Sequence, residues 1–345
     1  MIDDPKKIAE LDRGGMLSLV AAMPEMLLQA EKLSERLELP RIKKVESVVL
    51  AGMGGSAMGG EIARSLTSDI PILLNRFYSL PAFVNDRSLL IASSYSGDTE
   101  EVISCVKEAR QKNIPVIALT SGGKLAEIAE AEKYPKVIIP GGLPPRAALA
   151  YLTLPVLKVL EKLGYIKNLS SQLQDAGKML GNLKDEYLRG ERTNPAKQLA
   201  RKLQDKIPII LASPGVTRAA GIRFRCQLNE NSKKVAHLAL LPEMNHNEIV
   251  GLAQLKRGSH NFGLVVLRDE EDQGRVHKRI EITKSLIGAN LGGVSEIFST
   301  GKSQLARIFS LIYLADFVSV YLALLQGQDP TAIEVINRLK KELQR

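Results

Sequence analysis

The stretch Ser94-Tyr-Ser-Gly-Asp-Thr-Glu-Glu101 gathers three hydroxyls, Ser94, Ser96 and Thr99, around Gly97 just before a helical pattern begins. Hydroxyls and backbone N–H groups that converge on a helix N-terminus can give a phosphate dianion several charge-assisted hydrogen bonds. About 40 residues earlier, Gly52-Met-Gly-Gly-Ser-Ala-Met-Gly-Gly60 places five glycines and Ser56 where a β-branched run hands over to a helix. With no Cβ atoms in the way, main-chain N–H groups can close on an anion there. Gly55, Ser56, Ser94, Ser96 and Thr99 are therefore the candidate phosphate ligands. Two other readings fit these residues. Gly52, Gly54 and Ala57 satisfy the Gly-x-Gly-x-x-Ala of a dinucleotide site. That site wants an acidic residue about 20 positions on, whereas the next strand ends at Asn75-Arg76, which suits only a 2′-phosphate variant. The glycines can also serve close packing alone, with Thr99 or Ser96 simply capping the helix.

Acid–base candidates lie further along. Glu230 follows an amphipathic helical pattern, His246 stands between Asn245 and Asn247, Arg146 follows Pro144-Pro145, and Lys340-Lys341 sit near the C-terminal end. Each has a plain alternative: a surface cap residue for Glu230, a loop salt bridge for Arg146, a solvated helix face for the lysines. His246, in a polar loop-like cluster, is the least easily explained as structural. The four histidines, His237, His246, His260 and His277, are scattered, without metal-ligand spacing.

The elements that must position these residues alternate. Met16 to Glu38 has apolar residues at helical spacing. Strand patterns follow at Val45 to Ala51, Ile70 to Asn75, Ser88 to Ser93, Pro115 to Thr120 and Lys136 to Ile139, with helices at Glu61 to Leu66, Thr99 to Lys112 and near Leu125 to Glu130. Ala147 to Gly190 and Asn194 to Gln204 read as helical. A second series opens at Ile207 to Ala212, with a turn at Ser213 to Thr217 and a helix at Arg218 to Asn229. It continues through strands at Lys234 to Leu240, Phe262 to Leu267 and Val294 to Phe298, with a helix at Gln273 to Ile287. Alternating strands and helices imply an α/β class: two three-layer subdomains, each with a mainly parallel sheet flanked by helices. The expected division is 1–150 for N-terminal helices and the first subdomain, 151–200 for connecting helices, and 201–345 for the second subdomain and C-terminal helices.

With 345 residues, 45% of them hydrophobic and 25% charged, the chain can bury a large core, and two domains are expected. Cys105 and Cys226 make neither a disulfide framework nor a metal site, which suits a reducing cytoplasm. Met1 to Gly15 has no apolar core of a signal peptide. The net charge of +9 is spread among many acidic residues and aromatics are only 4%, so nucleic acid is not an expected partner and small anionic metabolites are. Ile308 to Leu325 is about as long as a membrane span, but a mid-segment Asp316 is expensive in lipid, and a buried helix, with a subunit interface as one place for it, is the better reading. No membrane association is expected. A homodimer is.

Ser-x-Ser-Gly-x-Thr after a strand, preceded by Gly-x-Gly-x-Ser, resembles the sugar-phosphate loops of the sugar-isomerase (SIS) superfamily. Four further segments, Leu143-Pro-Pro-Arg146, Leu228-Asn-Glu-Asn-Ser-Lys233, Pro242-Glu-Met-Asn-His-Asn-Glu248, and Asp329-Pro-Thr with Leu339-Lys-Lys341, resemble the archaeal-type bifunctional phosphoglucose/phosphomannose isomerases along nearly the full chain. The resemblance implies phosphate binding at Ser56, Ser94 and Thr99 in a cleft between two SIS subdomains. It makes Arg146 the arginine near the reacting carbons, Glu230 the base and His246 the ring opener. Lys340 would be a lysine that closes over the sugar, with Lys341 as the alternative. Aldose–ketose isomerisation asks for such a base, acid and cation, and for no metal or cofactor. An NADP-dependent oxidoreductase and a non-catalytic sugar-phosphate sensor on the same fold are the competing classes.

Overall fold

In the computed structural model, residues 2–42, 44–256 and 259–343 are described, and the chain divides into two units. One comprises 22–179 with 301–306; the other comprises 1–21, 180–300 and 307–345. The helical pattern from Met16 to Glu38 forms two helices, Met16–Ala21 and Met23–Glu35. Pro24 stands in the first turn of the second, where its missing N–H costs nothing and its fixed φ starts a helix afresh. The chain passes from one unit to the other at that break.

In the 22–179 unit, β1 (Ser47–Ala51), β2 (Ile72–Asn75), β3 (Ser88–Ser93), β4 (Val116–Thr120) and β5 (Lys136–Ile138) form an all-parallel sheet of order β2-β1-β3-β4-β5. β3 and β4 are buried at every position, as near-continuous apolar strands covered on both faces must be. Side chains alternate between those faces. Val49, Ala51, Leu90, Ala92, Val116 and Ala118 pack with Val102, Cys105, Val106 and Ala109 of the helix Glu100–Gln111. On the opposite face, Gly60 of the helix Met58–Leu66 lies so close to Leu74 and Leu50 that a Cβ would come 2.2 Å from Leu74 Cδ2. The helices that follow β1 and β3 thus cover opposite faces, and the loops leading into them diverge at the C-terminal ends of two adjacent strands. In an open sheet of this strand order, that divergence opens the crevice where ligands bind.

The other unit has a parallel sheet of order β7-β6-β8-β9, built from β6 (Ile207–Ala212), β7 (His237–Leu240), β8 (Phe262–Arg268) and β9 (Val294–Phe298). Its core joins Ile209, Leu211, Leu264 and Val266 to Ile280 and Ile287 of the helix Gly274–Ile287. β7 starts later than its apolar pattern suggests, because the helix Val216–Glu230 closes through Lys233 in the left-handed region (φ 52°) and Lys234 N–H donates back to Leu228 O at 3.0 Å.

The apolar segment forms the helix Gln304–Leu325, long and apolar enough to span a membrane by length and composition, yet buried at every position from Ile308 to Leu325. Asp316 within it receives a forked pair of hydrogen bonds from Arg223, Nε to Oδ1 at 2.9 Å and Nη2 to Oδ2 at 2.7 Å. Both side chains are at most 3% exposed. Burial pushes the Asp316 carboxyl above its usual range and the guanidinium opposes that rise. Removing one partner strands the other charge, whereas removing both does not. Asp316→Ala is therefore expected to lower the unfolding free energy by about 3–5 kcal/mol, with Arg223→Met/Asp316→Leu recovering most of the loss in chemical denaturation. Equal losses for the single and double variants would contradict this.

Candidate active site

The crevice at the end of β1 and β3 is built by three loops of the 22–179 unit. Ser94 Oγ and Thr99 Oγ1 are 2.7 Å apart, and Gly97 N–H donates to Ser94 Oγ at 3.1 Å. Ser56 Oγ accepts from Tyr95 N–H at 3.1 Å, and Ser93 Oγ donates to Ser56 O at 2.9 Å. Ser56, Ser94 and Thr99 are thus brought together, with Ser56 and Ser94 buried and Thr99 half-buried. Ser96 is exposed, and its Oγ accepts from Asp98 N–H at 3.3 Å. Thr99 has the extended backbone of an N-cap (φ −67°, ψ 115°), but its side chain makes no capping bond to the helix Glu100–Gln111. Neither Ser96 nor Thr99 caps that helix through its hydroxyl, because Ser94 Oγ and Asp98 N–H engage them instead.

Two glycines are dictated by space. Gly97 has φ 79°, and a Cβ on it would lie 1.8 Å from Gly122 O. The loop Ser121–Gly123 is in turn fastened underneath, with Leu125 N–H donating to Gly97 O at 3.0 Å and Lys124 N–H to Asp98 Oδ1 at 3.2 Å. At Gly55 a Cβ would stand 3.0 Å from Pro145 O and 3.4 Å from Arg146 Cα. The glycine-rich loop therefore lies directly against the short 3₁₀ turn Pro145–Ala147, whose Arg146 is 2% exposed.

The dinucleotide alternative is left without its reader. Asn75 is turned inward, its Nδ2 donating to Ser79 O at 3.0 Å and to Cys105 Sγ at 3.1 Å, and Arg76 pairs with Glu61 at 2.8 Å.

The remaining candidates belong to the other unit. Glu230, half-buried, is the last residue of the helix Val216–Glu230. The turn after it is pinned: Asn231 Nδ2 donates to Ser319 Oγ at 2.9 Å and Ser232 Oγ to Ser319 O at 2.6 Å, all three residues fully buried. Lys233 Nζ donates to the carbonyl of Asp329, which brings Asp329-Pro-Thr331 to the Glu230 segment. His246 ends the 3₁₀ turn Glu243–His246 and is exposed. Its neighbours fix that turn, since Asn245 Nδ2 donates to Thr283 Oγ1 at 2.9 Å and Asn247 Nδ2 to Glu243 Oε1 at 2.8 Å. Asn247 Oδ1 also caps the helix Glu248–Ala253 at 2.6 Å. Lys340 and Lys341 lie on the exposed helix Glu334–Leu343.

The corner of this second sheet differs from the first. After β6, Ser213 Oγ meets the unit's own Asp272 at 3.1 Å, and Ser299 Oγ donates to Asp269 at 2.7 Å. Burial, with Asp269 nearby, raises the Asp272 carboxyl above its ordinary range. The hydroxyl at this turn is thus engaged by an acidic side chain of the same unit.

Residues 192–343 match the family model of the bacterial phospho-glucose isomerase C-terminal SIS domain. A bifunctional phosphoglucose/phosphomannose isomerase of Caldicellulosiruptor bescii is 42% identical over 95% of this chain and 98% of its own. The chain belongs to the bifunctional phosphoglucose/phosphomannose isomerase family. A second member of that family, from Thermoplasma volcanium, is 33% identical over 88% of this chain and 93% of its own. A glucose-6-phosphate isomerase like protein of Thermus thermophilus shares the fold, with a TM-score of 0.62, 18% identity, and coverage of 97% of this chain and 99% of that one. Within this isomerase family framework, the residue that sequence reasoning passed over is Tyr95. Flanked by Ser94 and Ser96 it reads as a loop side chain, yet it is 7% exposed and bonded to three segments.

The fit at Gly97 is directly checkable. Gly142 has nearly the same φ, 82°, but a Cβ there would meet nothing within 4 Å. Gly142→Ala is expected to cost about 1–2 kcal/mol of stability from left-handed strain alone. Gly97→Ala is expected to cost clearly more, read as a lower melting temperature in thermal denaturation. Equal melting temperatures for the two variants would contradict the contact.

Proposed function

We propose that the chain interconverts fructose 6-phosphate with both glucose 6-phosphate and mannose 6-phosphate, by proton transfer through an enediolate. The observation that carries this reading is the near full-length match to relatives of that name, since it spans the hydroxyl-lined corner as well as the Glu230 and His246 segments. In the ground state Ser56, Ser94 and Thr99, with the N–H groups around Gly55 and Gly97, hold the phosphate ester. His246 donates a proton to the ring oxygen as the sugar opens. Glu230 takes the C1 proton of the open ketose, leaving an enediolate across C1 and C2 whose negative oxygen the Arg146 guanidinium stabilises. Return of that proton to C2, with the C1 hydroxyl giving up its proton and the C2 oxygen gaining one, gives an aldose. Delivery to one face of C2 gives the glucose configuration and to the other the mannose configuration. The C-terminal helix brings Lys340, or Lys341, to the sugar. We further take the working assembly to be a homodimer and the compartment to be the cytoplasm, in keeping with Cys105 and Cys226 as free thiols.

The hydroxyl corner supports phosphate capture on physical grounds of its own, because three hydroxyls sit at a helix whose N-terminus no side chain caps. The sensor alternative supplies no use for a carboxylate and an imidazole in separately pinned turns. Wild-type enzyme given fructose 6-phosphate, with EDTA and no nucleotide, is expected to form both aldose phosphates. Glu230→Gln is expected to lower kcat by about 10²–10⁴-fold while binding of the sugar phosphate stays within a few-fold. Full activity of that variant removes Glu230 as the base. Loss of wild-type activity in EDTA overturns the metal-free reaction.

A further inference from the structure

We propose that Tyr95 is a positioning residue: it holds the Arg146 segment in register with the phosphate-binding hydroxyls without itself touching the sugar. The inference rests on the reading of Arg146 as the oxyanion-stabilising cation. Tyr95 lies in the middle of Ser94–Thr99, but its ring turns into the unit. Its hydroxyl donates to Pro140 O at 2.9 Å and accepts from Leu143 N–H at 2.8 Å. Those two groups bracket the Gly141-Gly142 turn, where Gly142 has φ 82°. The main chain of the same residue is used as fully: its N–H donates to Ser56 Oγ, and its carbonyl accepts from Ser121 N–H at 3.0 Å and Ser121 Oγ at 2.6 Å. One residue is therefore bonded to the glycine-rich loop, to the brace beneath Gly97, and to the segment that leads to Arg146.

The link from Leu143 to Arg146 is stiff. Only Pro144 and Pro145 intervene, each with φ fixed by its ring, and Pro144 accepts from Ala147 N–H at 2.8 Å to close the 3₁₀ turn. A shift of Leu143 is thus passed on to Arg146 instead of being absorbed by loop rotation. On the other side the turn lies close against the glycine-rich loop, with Pro145 O only 3.0 Å from where a Gly55 Cβ would stand. The Tyr95 hydroxyl sets how far out it stands. Burial raises the phenol above its ordinary pKa, so the proton that it donates to Pro140 O is kept through the neutral range.

A residue that only stabilised the fold would lower activity in step with the folded fraction. One that sets the distance from Arg146 to the phosphate site acts on kcat with KM little changed, and only while Arg146 is there to be placed. Steady-state kinetics with fructose 6-phosphate on Tyr95→Phe, Arg146→Ala and the double variant, each below its melting temperature, separate these cases. The expected result is a fall in kcat of about 10-fold for Tyr95→Phe with KM within twofold, about 10²-fold for Arg146→Ala, and a double variant no slower than Arg146→Ala within twofold. Losses that multiply in the double variant overturn the proposal, and so does a Tyr95→Phe enzyme that changes KM alone. An Arg146→Ala enzyme as fast as wild type also overturns it, while the isomerase reading itself is judged separately by whether wild type forms both aldoses. Should Tyr95→Phe fail to fold, Gly142→Ala disturbs the same turn from its open side; it is expected to lower kcat with KM within twofold in wild type and to have no effect on kcat in Arg146→Ala, and a further loss there counts against the proposal.

Discussion

The geometry of the first unit depends on one topological constraint: β1 and β3 are parallel neighbours whose following helices go to opposite faces of the sheet. Leu50 and Leu74 pack against Gly60 on one side, while Val49, Leu90 and Ala92 pack against the helix Glu100–Gln111 on the other. The two loops must part company at the C-terminal ends of these strands. Gly52–Ser56 and Ser94–Thr99 therefore present their N–H groups and hydroxyls to a space held open by the core. Everything else in that corner, from Gly97 against Gly122 to Gly55 against Pro145, is close packing that keeps these loops apart by a fixed distance.

The second unit repeats the strand, turn and helix opening but not its use. Its turn after β6 is satisfied internally, with Ser213 Oγ donating to Asp272. What this unit contributes is rigidity around single side chains. Glu230 ends a helix whose exit is tied to Ser319, and Ser319 lies one turn from Asp316, the partner of Arg223. The apolar helix Gln304–Leu325 thus acts as a mount for the segment bearing the carboxylate, which explains polar residues in an otherwise greasy stretch.

Much of this was legible in the sequence because it rests on local pattern. Continuous β-branched and aliphatic runs gave the buried parallel strands, and the hydroxyls and glycines marked the corner before any contact was known. The Ile308 to Leu325 stretch reads as a buried helix because Asp316 lies in its middle. What could not be read depends on partners far away in the chain. Nothing near Asp316 names Arg223 as its counter-ion, and nothing near Tyr95 says that its ring points at Pro140 and Leu143. Thr99 has an N-cap's sequence position, but its hydroxyl goes to Ser94, a choice made by the bend at Gly97. The helix break at Ala22 and the short turn Glu243–His246 escaped the periodicity, being shorter than the patterns that reveal helices.

The central claim, that one chain moves a proton between C1 and C2 of a sugar phosphate to reach both aldoses, is tested most directly by running the reaction in heavy water. Fructose 6-phosphate incubated with the enzyme in D₂O should give glucose 6-phosphate and mannose 6-phosphate that both carry deuterium at C2 by nuclear magnetic resonance. Products that form at full rate without C2 deuterium after many turnovers, or label and inversion at another carbon, would contradict the account.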